Sequence, residues 1–282
     1  MSVEGNLALF CDFENIAIGV RDARAAKFDI KLILERLLLK GSIVVKKAYC
    51  DWDRYKDFKA QMHGAAFELI EIPHVRQSGK NSADIRMVVD ALDLCYTKAH
   101  IDTFVIISGD SDFSPLVSKL RENAKTVIGV GVKTSTSDLL INNCDEFIFY
   151  DDLITESALP RQRTRAKSSE KDNVQKPGAS KKSVPKSSQV STAPPTDAMQ
   201  QGINLVLEIA EALYAERGDR AKLWGSMVKQ TLQRRRPDFS EAAYGCRSFN
   251  DLLEEAAERG QLTLERDEKS GGYVIQKITR TL

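Results

Sequence analysis

The sequence predicts an α/β fold: a mainly parallel sheet with helices on both faces, followed by a smaller winged-helix unit. Three observations carry that expectation. Short apolar, β-branched runs alternate with stretches of helical periodicity from residue 6 to residue 150, the pattern of βαβ units. A segment rich in Ser, Lys, Arg and Pro, without one aromatic residue, then interrupts the chain. Beyond it, three helical stretches precede two short strand-like runs.

In the first part the strand candidates are 6–11 (NLALFC), 42–49 (SIVVKKAY), 67–75 (FELIEIPHV), 103–107 (TFVII), 126–130 (TVIGV) and 146–150 (EFIFY). Helical periodicity spans 30–39, 53–66, 83–98, 115–123 and 137–142. In the third of these helices Ser82 is placed to cap the N-terminus, and Ile85, Val88, Val89 and Leu92 form the expected packing stripe. Residues 157–197 hold nine basic and three acidic residues and five of the eight prolines. Such a composition cannot bury enough apolar area to fold, which predicts a flexible basic linker. In the last part, 198–217 and 223–235 read as helices, and Ser248 can cap a third that stops at Gly260. Runs 261–265 and 273–277 then form a hairpin around Gly271-Gly272, which completes a winged-helix arrangement. The expected organisation is therefore 1–156, a linker at 157–197, and 198–282.

The 282 residues are 42% apolar with formal net charge +1, as befits a globular protein. No signal-peptide pattern opens the chain, and no apolar run approaches the ~18 residues a membrane span needs. Five scattered cysteines form neither a CxxC pair nor an even set. That favours free thiols in a reducing cytoplasm. The net charge conceals a division: residues 1–156 sum to −5, the linker to +6, and residues 198–282 to zero. Clustered Lys and Arg in the linker suit either solubility or salt-sensitive attraction to a phosphate backbone.

The chemistry concentrates in VIISGDSDF, where a buried strand runs into Asp110 and Asp112. Gly, Asp and Ser are ordinary turn formers, so a simple turn is one reading. The other starts from repulsion: neighbouring carboxylates raise one another's pKa unless a cation or donors compensate. Asp12 follows the first strand in LALFCDFEN, and Asp84 falls in the first turn of the helix after GKNSA. In a parallel sheet the site lies beyond the carboxyl ends of the strands, which would gather these aspartates on one edge. Asp84 alone could equally complement a helix dipole. Asp90 and Asp93 lie farther along that helix and read as solvated or structural. Three or four carboxylates suit Mg²⁺ or Mn²⁺, hard cations that take oxygen ligands and can activate water against a phosphodiester.

Other chemistries fit less well. GKNS lacks the glycine and the Ser/Thr of a phosphate-binding loop, and GVGV lacks the third glycine of a dinucleotide fingerprint. His63, His74 and His100 have no metal-ligand spacing, and no GxSxG elbow is present.

The segments LALFCDFENI, KNSADIRMVVDAL, VIISGDSDFSPLVSKLRENAKTVIGVG and SDLLINNCDEFI together resemble the NYN domain of the PIN-like nucleases. The resemblance covers about residues 5–153. It implies a Rossmann-like sheet, RNA cleavage with Mg²⁺ or Mn²⁺, and Asp12, Asp84, Asp110 and Asp112 as catalytic and metal-binding residues. It further implies support from Asn15, loop shaping by Ser108, and a phosphate contact from Lys80. Residues 200–280, with SFNDLLEEAAERGQLTLER and GGYVIQK, resemble the OST-HTH or LOTUS domain, a winged helix that binds RNA or protein. Lys222, Arg234, Arg235 and Arg236 are its candidate phosphate contacts, although a solvated helix end explains the arginines equally well. The leading expectation is a cytoplasmic, metal-dependent ribonuclease with an RNA-targeting module. Two alternatives stay open: an RNA-binding regulator without catalysis, and a phosphatase of the haloacid dehalogenase type suggested by Asp12-Phe13-Glu14. The latter lacks the downstream Thr. RNA target, oligomeric state and a protein partner for the second unit are left open.

Overall fold

The strand that opens the fold is apolar at every position from Leu7 to Cys11, and each of these side chains is buried. A strand of this kind needs cover on both faces, and helices supply it. The computed structural model describes residues 5–23, 28–72, 82–158, 195–217, 222–267 and 272–279. In chain order the first unit runs β1 (Gly5–Asp12), α1 (Phe13–Asp22), α2 (Ile30–Leu38), β2 (Gly41–Cys50), α3 (Lys56–Gly64), β3 (Glu68–Glu71), α4 (Ser82–Thr97) and β4 (Thr103–Ile107). A 3-10 turn (Ser111–Phe113) leads into α5 (Ser114–Glu122), β5 (Thr126–Gly131), α6 (Asp138–Asn143), β6 (Glu146–Phe149) and α7 (Tyr150–Ala158).

All six strands are parallel, in the order β3-β2-β1-β4-β5-β6. Leu7, Leu9 and Cys11 face one core with residues of α1, α2, α3 and α7, including Ile16, Ile33, Met62 and Leu153. Ala8 and Phe10 face the other, filled from α4, α5 and α6. The parallel sheet covered on both sides is thus present. Strand order reverses between β1 and β4, which makes the gap beyond their carboxyl ends the natural binding crevice.

Several details depart from the sequence reading. The run 67–75 yields only a four-residue edge strand, β3, and residues 73–75 lie outside the described residues. The helix expected from 53 begins at Lys56, because the Asp51 side chain accepts the Asp53 N–H (3.2 Å) and holds the chain in a turn. The α1 and α7 helices were not anticipated. Ser82 is the first helical residue of α4 rather than its cap. The packing stripe of α4 is met in part: Val88 and Leu92 pack against the core, but its buried residues are Met87, Ala91 and Cys95, and Ile85 and Val89 are 62% and 55% exposed.

The second unit comprises α8 (Pro195–Arg217), β7 (Leu223–Trp224), α9 (Gly225–Arg235), a 3-10 turn (Glu241–Tyr244), α10 (Phe249–Glu258), β8 (Leu262–Arg266) and β9 (Tyr273–Ile278). Its antiparallel sheet has the order β7-β9-β8 and closes over a separate core containing Ile203, Val206, Leu232, Leu252 and Leu253. Ser248 caps α10 by accepting the Asp251 N–H. Three helices and a hairpin with one short added strand make the winged-helix arrangement. The first two residues of the expected second helix form β7 instead. The Phe147 N–H on the outer strand β6 donates to the Pro237 carbonyl at 2.8 Å, so part of an otherwise open sheet edge is capped. The bulk of the expected linker, 159–194, lies outside the described residues.

Candidate functional site

Asp12 ends β1 and caps α1, its Oδ1 accepting the Asn15 N–H at 3.3 Å. The adjacent strand β4 ends at Ile107, and the loop that follows is tied to the first by two bonds and braced by a third within itself. Ser108, fully buried, donates from Oγ to Asp12 Oδ2 (3.1 Å) and accepts the Asp110 N–H (3.2 Å). The Asn15 Oδ1 accepts the Gly109 N–H at 2.9 Å. Asp110 in turn caps the 3-10 turn by accepting the Asp112 N–H at 3.0 Å. Gly109 is needed here for space: a Cβ would lie 2.5 Å from the Ser135 carbonyl oxygen. Asn15 and Ser108 therefore link the two loops.

Asp12, Asp84 and Asp110 line one cavity of about 450 Å³, closed on its other side by Tyr49 and Arg54. Asp112 does not line that cavity. It lies in an adjoining groove of about 690 Å³ to which Asp84 also contributes. Convergence of all four acids on one cavity is thus corrected to three plus one, with Asp84 shared. Asp110 is the cap of the 3-10 turn and Asp112 lies inside it.

Charge is concentrated and poorly hydrated in this crevice. Burial, and after it the Asp84 charge, pushes Asp12 up to about 7, despite the opposing bonds from Asn15 and Ser108. Asp84 is pushed up to about 6, by burial first and then by Asp110 and Asp112. The neighbouring Cys11 thiol is raised well above its ordinary range by burial and by Asp12, which makes it inert.

A family model of the NYN domain matches residues 6–153, just over half of the chain. The chain belongs to the NYN domain family. NYN domains are nuclease-like and RNA-associated. The NYN segment is 28% identical over 145 residues to an uncharacterised protein of Methanocaldococcus jannaschii, a match covering 51% of this chain and 55% of that protein. The chain spans about half the length of that curated relative. A crystal structure of a protein of unknown function from Vibrio parahaemolyticus is similar over 54% of this chain and 97% of its own. The identity is 26% and the TM-score 0.48.

Within the NYN domain, the donor set has the chemistry of a hard-cation site: oxygen ligands only, carrying unneutralised charge. The spacing does not close a coordination sphere by itself. Among the described residues no three His, Cys, Asp or Glu side chains are gathered into a metal-holding group.

The remaining site expectations fall elsewhere. Lys80 lies outside the described residues. Lys222 is exposed just before β7. Arg234 and Arg235 end α9 and Arg236 is its C-cap; all three are exposed, where they complement the helix dipole. None of the four lines the acidic cavity. Asp90 is structural: it accepts from the Tyr49 hydroxyl at 2.9 Å and from Arg86 at 3.1 Å. Arg54 escaped the sequence reading, and Glu14, noted there only in Asp12-Phe13-Glu14, pairs with it at 3.1 Å in the cavity. Glu14 could have been found from its place beside Asp12 in CDFEN; Arg54 arrives from a distant loop and left no local signal. No helix among the described residues is long and apolar enough to cross a membrane.

Proposed function

We propose that this protein is a metal-dependent ribonuclease whose NYN domain cleaves RNA phosphodiester bonds. One observation carries the reading: three carboxylates from β1, α4 and the loop after β4 share a cavity at the switch point of the sheet, with two of them driven toward neutrality by burial and one another. Asp12, Asp84 and Asp110 would hold Mg²⁺ or Mn²⁺, with Asp112 beside them. Bound there, the cation would neutralise phosphate oxygens and lower the pKa of a water nucleophile. The chain's own groups do the rest. Ser108 and Asn15 fix Asp12 and the Gly109 loop, so the carboxylates are set before substrate arrives. Arg54, the basic residue of the cavity, stands where an incoming phosphate would exchange for Glu14. The second unit, read as an OST-HTH (LOTUS) domain, and the basic linker would supply RNA affinity in the cytoplasm. A phosphatase role is set aside because the family match points to nuclease-like chemistry.

The test is direct. Purified full-length protein with single-stranded RNA should show cleavage with Mn²⁺ or Mg²⁺ and none in EDTA. Asp110→Asn and Asp112→Asn should abolish it with circular dichroism unchanged. Equal cleavage by wild type and both variants would reveal a contaminating nuclease and overturn the reading. The alternative reading is RNA binding without cleavage. Metal-independent RNA affinity with no products under any condition would establish it.

A further inference from the structure

The groove beside the acidic cavity is unusual for the surface of a helix–sheet fold. Its lining includes Ile85, Val88 and Val89 of α4 together with Pro115 and Leu139, and three of these side chains are more than half exposed. Exposed apolar area of this kind, gathered in a concavity, marks a binding site rather than ordinary surface. Its lining is not wholly aliphatic. Ser114 is 6% exposed, and its hydroxyl has no hydrogen-bond partner among the described residues. An unpaired buried hydroxyl costs free energy unless a ligand or water completes it. Ser111, Ser118 and Asp112 add polar groups to the same lining.

We infer that this groove holds one unpaired nucleobase of the RNA strand, packed against the α4 aliphatics, Pro115 and Leu139, with its polar edge toward Ser114. The inference rests on the nuclease reading, because Asp84 belongs to both spaces and places the base next to the phosphate that enters the acidic cavity. Charge selects the occupant. Asp84 and Asp112 at the groove repel a phosphate or an acidic peptide, whereas a base is neutral, has flat apolar faces and carries donors on its edge. Extruded bases are held in just this way, by apolar contact on the faces and hydrogen bonds on the edge. A paired base cannot enter, so the substrate class is single-stranded or looped RNA.

The experiment uses full-length Asp110→Asn protein, so that binding is read without cleavage. A single-stranded RNA of mixed sequence carrying 4-thiouridine is cross-linked by light, and the modified peptides are mapped. Cross-links are expected within 82–97, 111–118 or 138–143. Val89→Ser and Ile85→Ser, both at exposed positions, should keep the melting temperature and weaken single-stranded RNA binding by roughly tenfold, the size of one lost base contact. Binding to duplex RNA should not change. Cross-links confined to other segments, or unchanged affinity in both variants, overturn the inference. So does a wild-type dimer that Val89→Ser converts to monomer, since the groove would then hold a second copy. If wild type cleaves while these variants cleave and bind normally, the groove inference falls and the nuclease reading stands. Mapped cross-links in a protein that never cleaves would instead retain the groove and remove the nuclease.

Discussion

Replacing Asp12 with Asn should stabilise the metal-free protein at alkaline pH while removing its response to metal. Asp12 is 8% exposed, and its pKa moves from an ordinary 3.8 to about 7. The folded state thus binds a proton more tightly than the unfolded chain. That contribution to stability is fully present at low pH and is lost as pH rises from about 4 to about 7. At ~1.4 kcal/mol per pH unit, carrying the ionised carboxylate above pH 7 costs about 4 kcal/mol relative to the neutral acid. Asn is a near-isostere of that neutral acid and an equally good helix cap for α1. That figure is already net of the Asn15 N–H and Ser108 bonds, which favour the ionised form. The expectation is therefore about 4 kcal/mol of added stability at pH 8 in EDTA, or about 8–16 °C in melting temperature. At pH 5 the folded carboxyl is protonated but the unfolded one is already ionised, so the gain should fall to about 1–2 kcal/mol. Thermal melts of wild type and Asp12→Asn at both pH values, with and without Mn²⁺, decide the matter. Wild type should rise on adding Mn²⁺ at pH 8 by mass action, and the variant should not. A variant less stable than wild type at pH 8 in EDTA would refute the reasoning, because Asp12 would then be a net stabilising charge.

Ser108→Ala removes the donor to Asp12 Oδ2 and should push that carboxyl higher still, moving the onset of metal-dependent stabilisation to higher pH in a titration monitored by melting temperature. Gly109→Ala forces a Cβ to 2.5 Å from the Ser135 carbonyl oxygen and should cost about 1–3 kcal/mol in urea unfolding; an unchanged midpoint would show that the loop yields freely. RNA affinity of the full-length protein should fall steeply with salt, and a 1–156 fragment, at net −5, should bind weakly and cleave with a raised KM; equal binding by both at every salt concentration would make a protein the ligand of the second unit.

The sequence by itself determined the sheet, because a strand buried on both faces must be apolar throughout and 7–11 and 103–107 are. It also determined that Asp12 and Asp110 share a site, since strand ends in a parallel sheet share an edge. Ser248 and Asp12 could be placed as caps or strand ends from their neighbours alone. The rest required three dimensions. How α4 packs against the sheet decided that Met87 and Ala91 went in and Ile85 and Val89 stayed out. Whether Asp112 joins Asp110 in one cavity is a matter of backbone path, which residue identity does not fix. Arg54 reached the cavity, and Ser114 was left without a partner among the described residues, through contacts between segments far apart in the chain. Local pattern encodes which face is buried on average; only packing decides which polar atoms are left over, and it is those that a ligand completes.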